Sequence, residues 1–79
     1  MSEVSPSYVA RIGETAGHVW RVLNENGPLN LSQIIKKVGR PRDEVMQAIG
    51  WLAREDKLVF SEQGRARFVA LKERAVSQG

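Results

Sequence analysis

The side chains in this chain best equipped for chemistry are cations, and they gather in two places. Lys36, Lys37, Arg40 and Arg42 lie in a stretch, residues 29–42, that contains no acid, and Arg65 and Arg67 alternate with smaller residues nearer the C-terminus. Lysine and arginine at this density are suited to neutralising phosphates. Between the two groups, Gln47 and Arg54 have the hydrogen-bonding reach for a base edge. These eight residues form a candidate nucleic-acid-binding set, with DNA as the expected partner. Asp43 beside them would repel phosphate. The acids fall elsewhere in the chain: residues 43–56 carry Asp43, Glu44, Glu55 and Asp56 against Arg54 alone.

Other chemistries lack their reagents. The chain has no cysteine and one histidine, His18, which removes disulfides, thiolate metal sites and thiol nucleophiles and leaves zinc or triad chemistry without ligands or a base. Glu14, Asp43 and Glu44 read as helix-start charges with no paired base. No catalytic residue, metal, cofactor or small-molecule substrate is expected, and the protein is not expected to be an enzyme. At 79 residues the chain is one small module, and a module this short buries only about 60% of the surface its unfolded form exposes. Such a core is marginal, which makes a second copy, a homodimer, an expected partner. No apolar run approaches the ~20 residues of a membrane span and the N-terminus lacks a signal-peptide pattern, so no membrane role is expected and the expected compartment is the cytoplasm.

Several elements must position the cations. Ile12, Ala16, Val19, Trp20 and Leu23 form one helical stripe, starting between Ser7 and Gly13 and stopped by Gly27-Pro28. Leu29-Asn30-Leu31 reads as a brief strand. Ser32 then reads as the N-cap of a short helix over 33–38, which buries Ile34, Ile35 and Val38 and is stopped by Gly39. A third helix opens at Arg40-Pro41-Arg42, with Pro41 in its first turn, and runs to about Glu55. Its buried stripe is Val45, Ala48, Ile49 and Leu52, and its outward stripe is Asp43, Gln47, Gly50 and Arg54. Leu58–Phe60 and Ala66–Ala70 read as a hairpin around a three-residue loop, Glu62-Gln63-Gly64, pairing Leu58 with Phe68 and Phe60 with Ala66. That register puts both phenylalanines on one buried face and both arginines on the other. Residues 72–79 are expected to fray.

The order is helix, short strand, helix, tight turn, helix, two-stranded hairpin. Three helices with a helix-turn-helix in the last two, closed by a hairpin, make a mainly α winged-helix arrangement. The runs Ile12-Gly13-Glu14-Thr15-Ala16-Gly17-His18-Val19-Trp20, Leu23-Asn24-Glu25-Asn26-Gly27 and Ala48-Ile49-Gly50-Trp51-Leu52-Ala53-Arg54-Glu55 resemble a small stand-alone winged helix-turn-helix family catalogued as a domain of unknown function. The resemblance implies the fold and no biochemical activity. It departs at Pro41, where a serine-type cap is the expectation. The expected layout is an N-terminal segment over 1–11, the winged helix-turn-helix domain over 12–71 and a tail over 72–79.

A winged helix that binds duplex DNA lays its third helix in the major groove and rests its wing on the backbone. The competing expectation is a protein-interaction surface: Gly50 leaves a gap on the third helix, flanked by Met46 and Trp51. Trp51 could instead pack under the wing against Phe60 or Phe68, with Gly50 admitting another element closely. Gly13 and Gly17, with Ala10 nearby, pose a parallel choice: a small-residue strip for close packing of another helix, or Gly13 lying before the helix starts with Gly17 making room for the third helix.

Overall fold

A computed structural model describes residues 6–72. Its elements are α1 (Pro6–Asn26), β1 (Leu29–Asn30), α2 (Leu31–Val38), α3 (Arg42–Arg54), β2 (Leu58–Gln63) and β3 (Ala66–Leu71). The three strands form one antiparallel sheet in the order β1-β3-β2. Of the expected N-terminal segment, residues 1–5 lie outside the described residues, and of the tail so do residues 73–79.

α1 starts at Pro6, just before the expected range, because a proline's missing N–H costs nothing in a first helical turn. Gly13 is therefore in the helix interior. Ala16, Val19 and Leu23 are buried as their spacing requires, but Trp20 is 39% exposed. It sits at the margin of the stripe, facing a cleft between α1 and α3.

Asn30, not Ser32, caps α2. Its side-chain oxygen accepts the Gln33 backbone N–H and the Gln33 side-chain oxygen accepts the Asn30 N–H, each at 2.9 Å. This reciprocal pair satisfies two donors where Ser32 could satisfy one, so Leu31 joins the helix and β1 is left with two residues. Gly39 closes α2 in the left-handed region at φ 73°, its N–H donating to the Ile35 carbonyl. α3 follows after one further turn. Pro41 is its N-cap and not a first-turn residue: ψ is 144°, no side-chain bond caps the helix, and the Pro41 carbonyl accepts the Val45 N–H at 3.0 Å. At the far end, Asp56 takes φ 62°, and the Asp56 and Lys57 N–H groups donate back to Ala53 and Leu52. This Schellman pattern turns the chain into β2.

The hairpin register differs from expectation. Leu58 pairs with Leu71, Phe60 with Val69 and Gln63 with Ala66, leaving a two-residue loop, Gly64-Arg65. Gly64 has φ 62° and Arg65 is not among the positive-φ residues, which fits a II′ connection with glycine first. Leu58 stays inward and the shift brings Val69 and Leu71 in beside it, at 6%, 3% and 2% exposure. The expected register would have turned Val69 and Leu71 to solvent. The phenylalanines therefore do not share a face, and Phe60 is 49% exposed. Leu29 of β1 meets Val69, joining the sheet to a core whose fully buried members include Val19, Leu23, Ile34 and Val45.

Candidate nucleic-acid interface

α3 buries Val45, Ala48, Ile49 and Leu52 and exposes Asp43, Gln47, Gly50 and Arg54, the two stripes read from its periodicity. Gln47 is not free to rotate at will. Its amide donates to the Tyr8 hydroxyl at 3.1 Å, so the first turn of α1 stands beside the exposed face of α3. Tyr8 is 46% exposed, and sequence reasoning missed it. Its place four residues before Ile12, next to the core stripe, was the available signal.

The cations divide into two groups. Lys36 and Lys37 are exposed in the last turn of α2, Arg42 and Arg54 stand at the two ends of α3, and Arg65 occupies the hairpin loop. None of these five pairs with an acid among the described residues. Arg40 and Arg67 do. The Arg67 guanidinium donates to Glu62 at 3.1 Å, both side chains about two-thirds exposed. Arg40 donates to Glu44 at 3.0 Å and reaches Glu14 at 3.4 Å.

Arg40 belongs to a network that the sequence reading did not contain. Glu44 is expected as a helix-start charge, yet it is buried against α1, where the Thr15 hydroxyl, itself fully buried, donates to its carboxylate at 2.7 Å. The Thr15 hydroxyl and then the Arg40 guanidinium hold the Glu44 carboxyl below the usual range, with the charge of Arg11 adding to the effect. The bond to Glu44 in turn raises Arg40. A threonine on the buried flank of a helix, with a glutamate one residue before a buried valine, was the signal for this contact.

Met46 is 45% and Trp51 37% exposed. The Trp51 ring stands beside α1, 3.8 Å from where a Gly13 Cβ would be. Nothing lies within 4 Å of a Cβ on Gly50 or Gly17, so neither glycine admits another element of this chain. Trp51 and Trp20 instead wall an open cleft of about 350 Å³ over Gly13 and Gly17, with Glu55 and Lys57 on its edge. Among the described residues no three acids or histidines gather to hold a metal ion, and no helix is long and apolar enough to cross a membrane.

Three helices, the tight Gly39–Pro41 turn between the last two and a three-stranded sheet ending in a hairpin define a winged helix-turn-helix domain. Solved structures agree. Protein BT2368 from Bacteroides thetaiotaomicron superposes with a TM-score of 0.75 at 29% identity, over 84% of this chain and 80% of its own. The Zalpha domain of PKZ from Carassius auratus, solved in complex with Z-DNA, gives 0.64 at 18% identity over 76% of this chain and 95% of its own. Residues 7–71 match the family model of the winged helix-turn-helix domain DUF2582, and the chain belongs to that family. It is also 43% identical over 65 residues to the uncharacterized protein MJ1608 of Methanocaldococcus jannaschii, covering 78% of this chain and 91% of the relative.

Proposed function

We propose that this protein is a DNA-binding winged-helix regulator without enzymatic activity, working in the cytoplasm through a winged helix-turn-helix domain that takes in α1. One observation carries the reading: Glu14, Glu44 and Glu62 are each held by a cation, while among the described residues Lys36, Lys37, Arg42, Arg54 and Arg65 pair with no acid. In this fold those five stand around the exposed face of the third helix and at the tip of the wing, the positions that meet backbone phosphates when such a helix enters a major groove. Gln47, oriented by Tyr8, and Arg54 are the base-reading candidates. Lys36, Lys37, Arg42 and Arg65 are the backbone contacts, and the Arg54 guanidinium neutralises a phosphate as well as reaching a base edge. Arg40 and Arg67 act through the acids they neutralise. That the Zalpha neighbour of the same fold is solved on Z-DNA supports a nucleic-acid ligand.

The test is fluorescence anisotropy with a labelled duplex of mixed sequence at low ionic strength. Binding is expected, weakened by Arg42→Ala and by Arg65→Ala, since each removes a phosphate contact. Absence of binding at low salt overturns the reading.

A further inference from the structure

We propose that Tyr8 sets the base specificity of α3: its hydroxyl covers the edge of the Gln47 amide that would otherwise recognise adenine, so Gln47 reads bases one hydrogen bond at a time. This rests on the nucleic-acid reading of the same face and adds to it a residue that acts on the base through another.

On the outward stripe of α3, Gln47 is the side chain suited to adenine. Asp43 carries acceptors only, Gly50 has no side chain, and Arg54 matches the acceptors of guanine. A glutamine recognises adenine with both ends of its amide at once, the oxygen accepting from N6 and the nitrogen donating to N7. In this structure both ends are already engaged. Gln47 Nε2 donates to the Tyr8 hydroxyl at 3.1 Å, and the same hydroxyl donates to Gln47 Oε1 at 3.4 Å. One oxygen within reach of both amide atoms has to stand in front of the edge that joins them, which is the place adenine would take. Turning the amide over does not clear that edge, because a phenolic hydroxyl both donates and accepts and so serves either orientation.

What remains on Gln47 is one lone pair and one N–H, directed to opposite sides of the amide. A base meets one of these and not both. Every base pair offers the major groove at least one donor and one acceptor, so a single contact of this kind can be made to any sequence. Tyr8 lies near the start of α1, 39 residues before Gln47. The tolerance of the third helix is therefore imposed from the first, by a positioning residue that need not touch DNA itself.

The full chain is mixed at low ionic strength with a pool of duplexes randomised over the binding site, and the bound fraction is sequenced. The parent should enrich adenine at no position by more than about threefold, below the range of a bidentate contact. Tyr8→Phe keeps the ring and removes the hydroxyl, so the amide is free to swing to the groove. It should enrich adenine at one position by about 5- to 150-fold, and adding Gln47→Ala should abolish that enrichment. The thermal midpoint should not move, since both side chains are exposed. In the protein without DNA, the Gln47 side-chain NH2 resonances in a nitrogen–proton correlation spectrum should shift on Tyr8→Phe. A parent whose adenine preference is strong and is lost in Gln47→Ala overturns the proposal. So does a Tyr8→Phe variant with an unchanged base profile, or one with unshifted Gln47 resonances. Failure of parent and variants alike to bind any duplex is a different result: it overturns the nucleic-acid reading, and the proposal with it.

Discussion

How steeply DNA binding responds to salt follows from which cations are already occupied. Each phosphate neutralised on duplex DNA contributes about −0.9 to the slope of log K against log salt. The five unpaired residues Lys36, Lys37, Arg42, Arg54 and Arg65 therefore give a slope of about −4.5, a loss of about 500-fold in affinity between 50 and 200 mM salt. Counting Arg40 and Arg67 as well would give about −6.3 and a loss of about 6,000-fold. The structure favours the smaller figure. Arg40 is fixed on the buried Glu44 carboxylate at 3.0 Å, and Arg67 carries Glu62 with it, so the pair adds no net charge to the wing. Anisotropy titrations of a labelled mixed-sequence duplex at several salt concentrations measure the slope. Arg65→Ala should reduce it to about −3.6, whereas removing Glu62 and Arg67 together should leave it unchanged. A slope near −6 refutes the assignment of Arg40 and Arg67 to structural pairs.

Three further outcomes test the framework that holds this face. Thr15→Val keeps the buried shape but removes the donor at 2.7 Å from Glu44, and should cost about 1.5–3 kcal/mol in urea denaturation, the range for bonds to charged groups. The Glu44 carboxyl is held below its ordinary value in the folded state. Its contribution is therefore present above the unfolded carboxylate range and is lost as pH falls through the lower folded value, so the gap between Thr15→Val and the parent should be flat near neutrality and narrow in acid. Asn30→Ala, which opens the capping box with Gln33, should cost about 1 kcal/mol, read as a lowered thermal midpoint. Gly50→Ala should raise stability by about 1 kcal/mol in the same measurement, because the residue is helical and a Cβ there is unobstructed.

Legibility in the sequence followed the range of the interactions. Helix faces repeat over four residues, so the buried and exposed stripes of α3 could be read directly, as could the stop at Gly39, where glycine chemistry is local. The hairpin register could not. It depends on whether β3 turns Phe68 or Val69 and Leu71 inward beside Leu58, a competition in which β1, far along the chain, takes part through the pairing of Leu29 with Val69. Trp20 and Trp51 failed for the same reason. Each lies at the edge of a helical stripe, where a few degrees of packing between α1 and α3 decide between core and cleft. Among the cations, residue type was visible but occupancy was not: Arg40 and Arg42 look alike in sequence, and only the fold brings Glu14, Thr15 and Glu44 around one of them.

That occupancy bears on how a helix headed by two acids could face a polyanion. Asp43 and Glu44 suit the positive end of the α3 dipole, but two carboxylates at the entrance to a groove would repel phosphate. Glu44 is withdrawn against α1 and matched by Arg40. Asp43 stays exposed, and its oxygen accepts the Glu44 backbone N–H at 2.9 Å. The field presented outward at this end is then set by Lys36, Lys37 and Arg42 against a single acid already engaged with backbone. On the proposed reading Arg40 would favour DNA binding by cancelling an acid, and its removal should harm affinity and stability together. Loss of Arg42 should harm affinity alone.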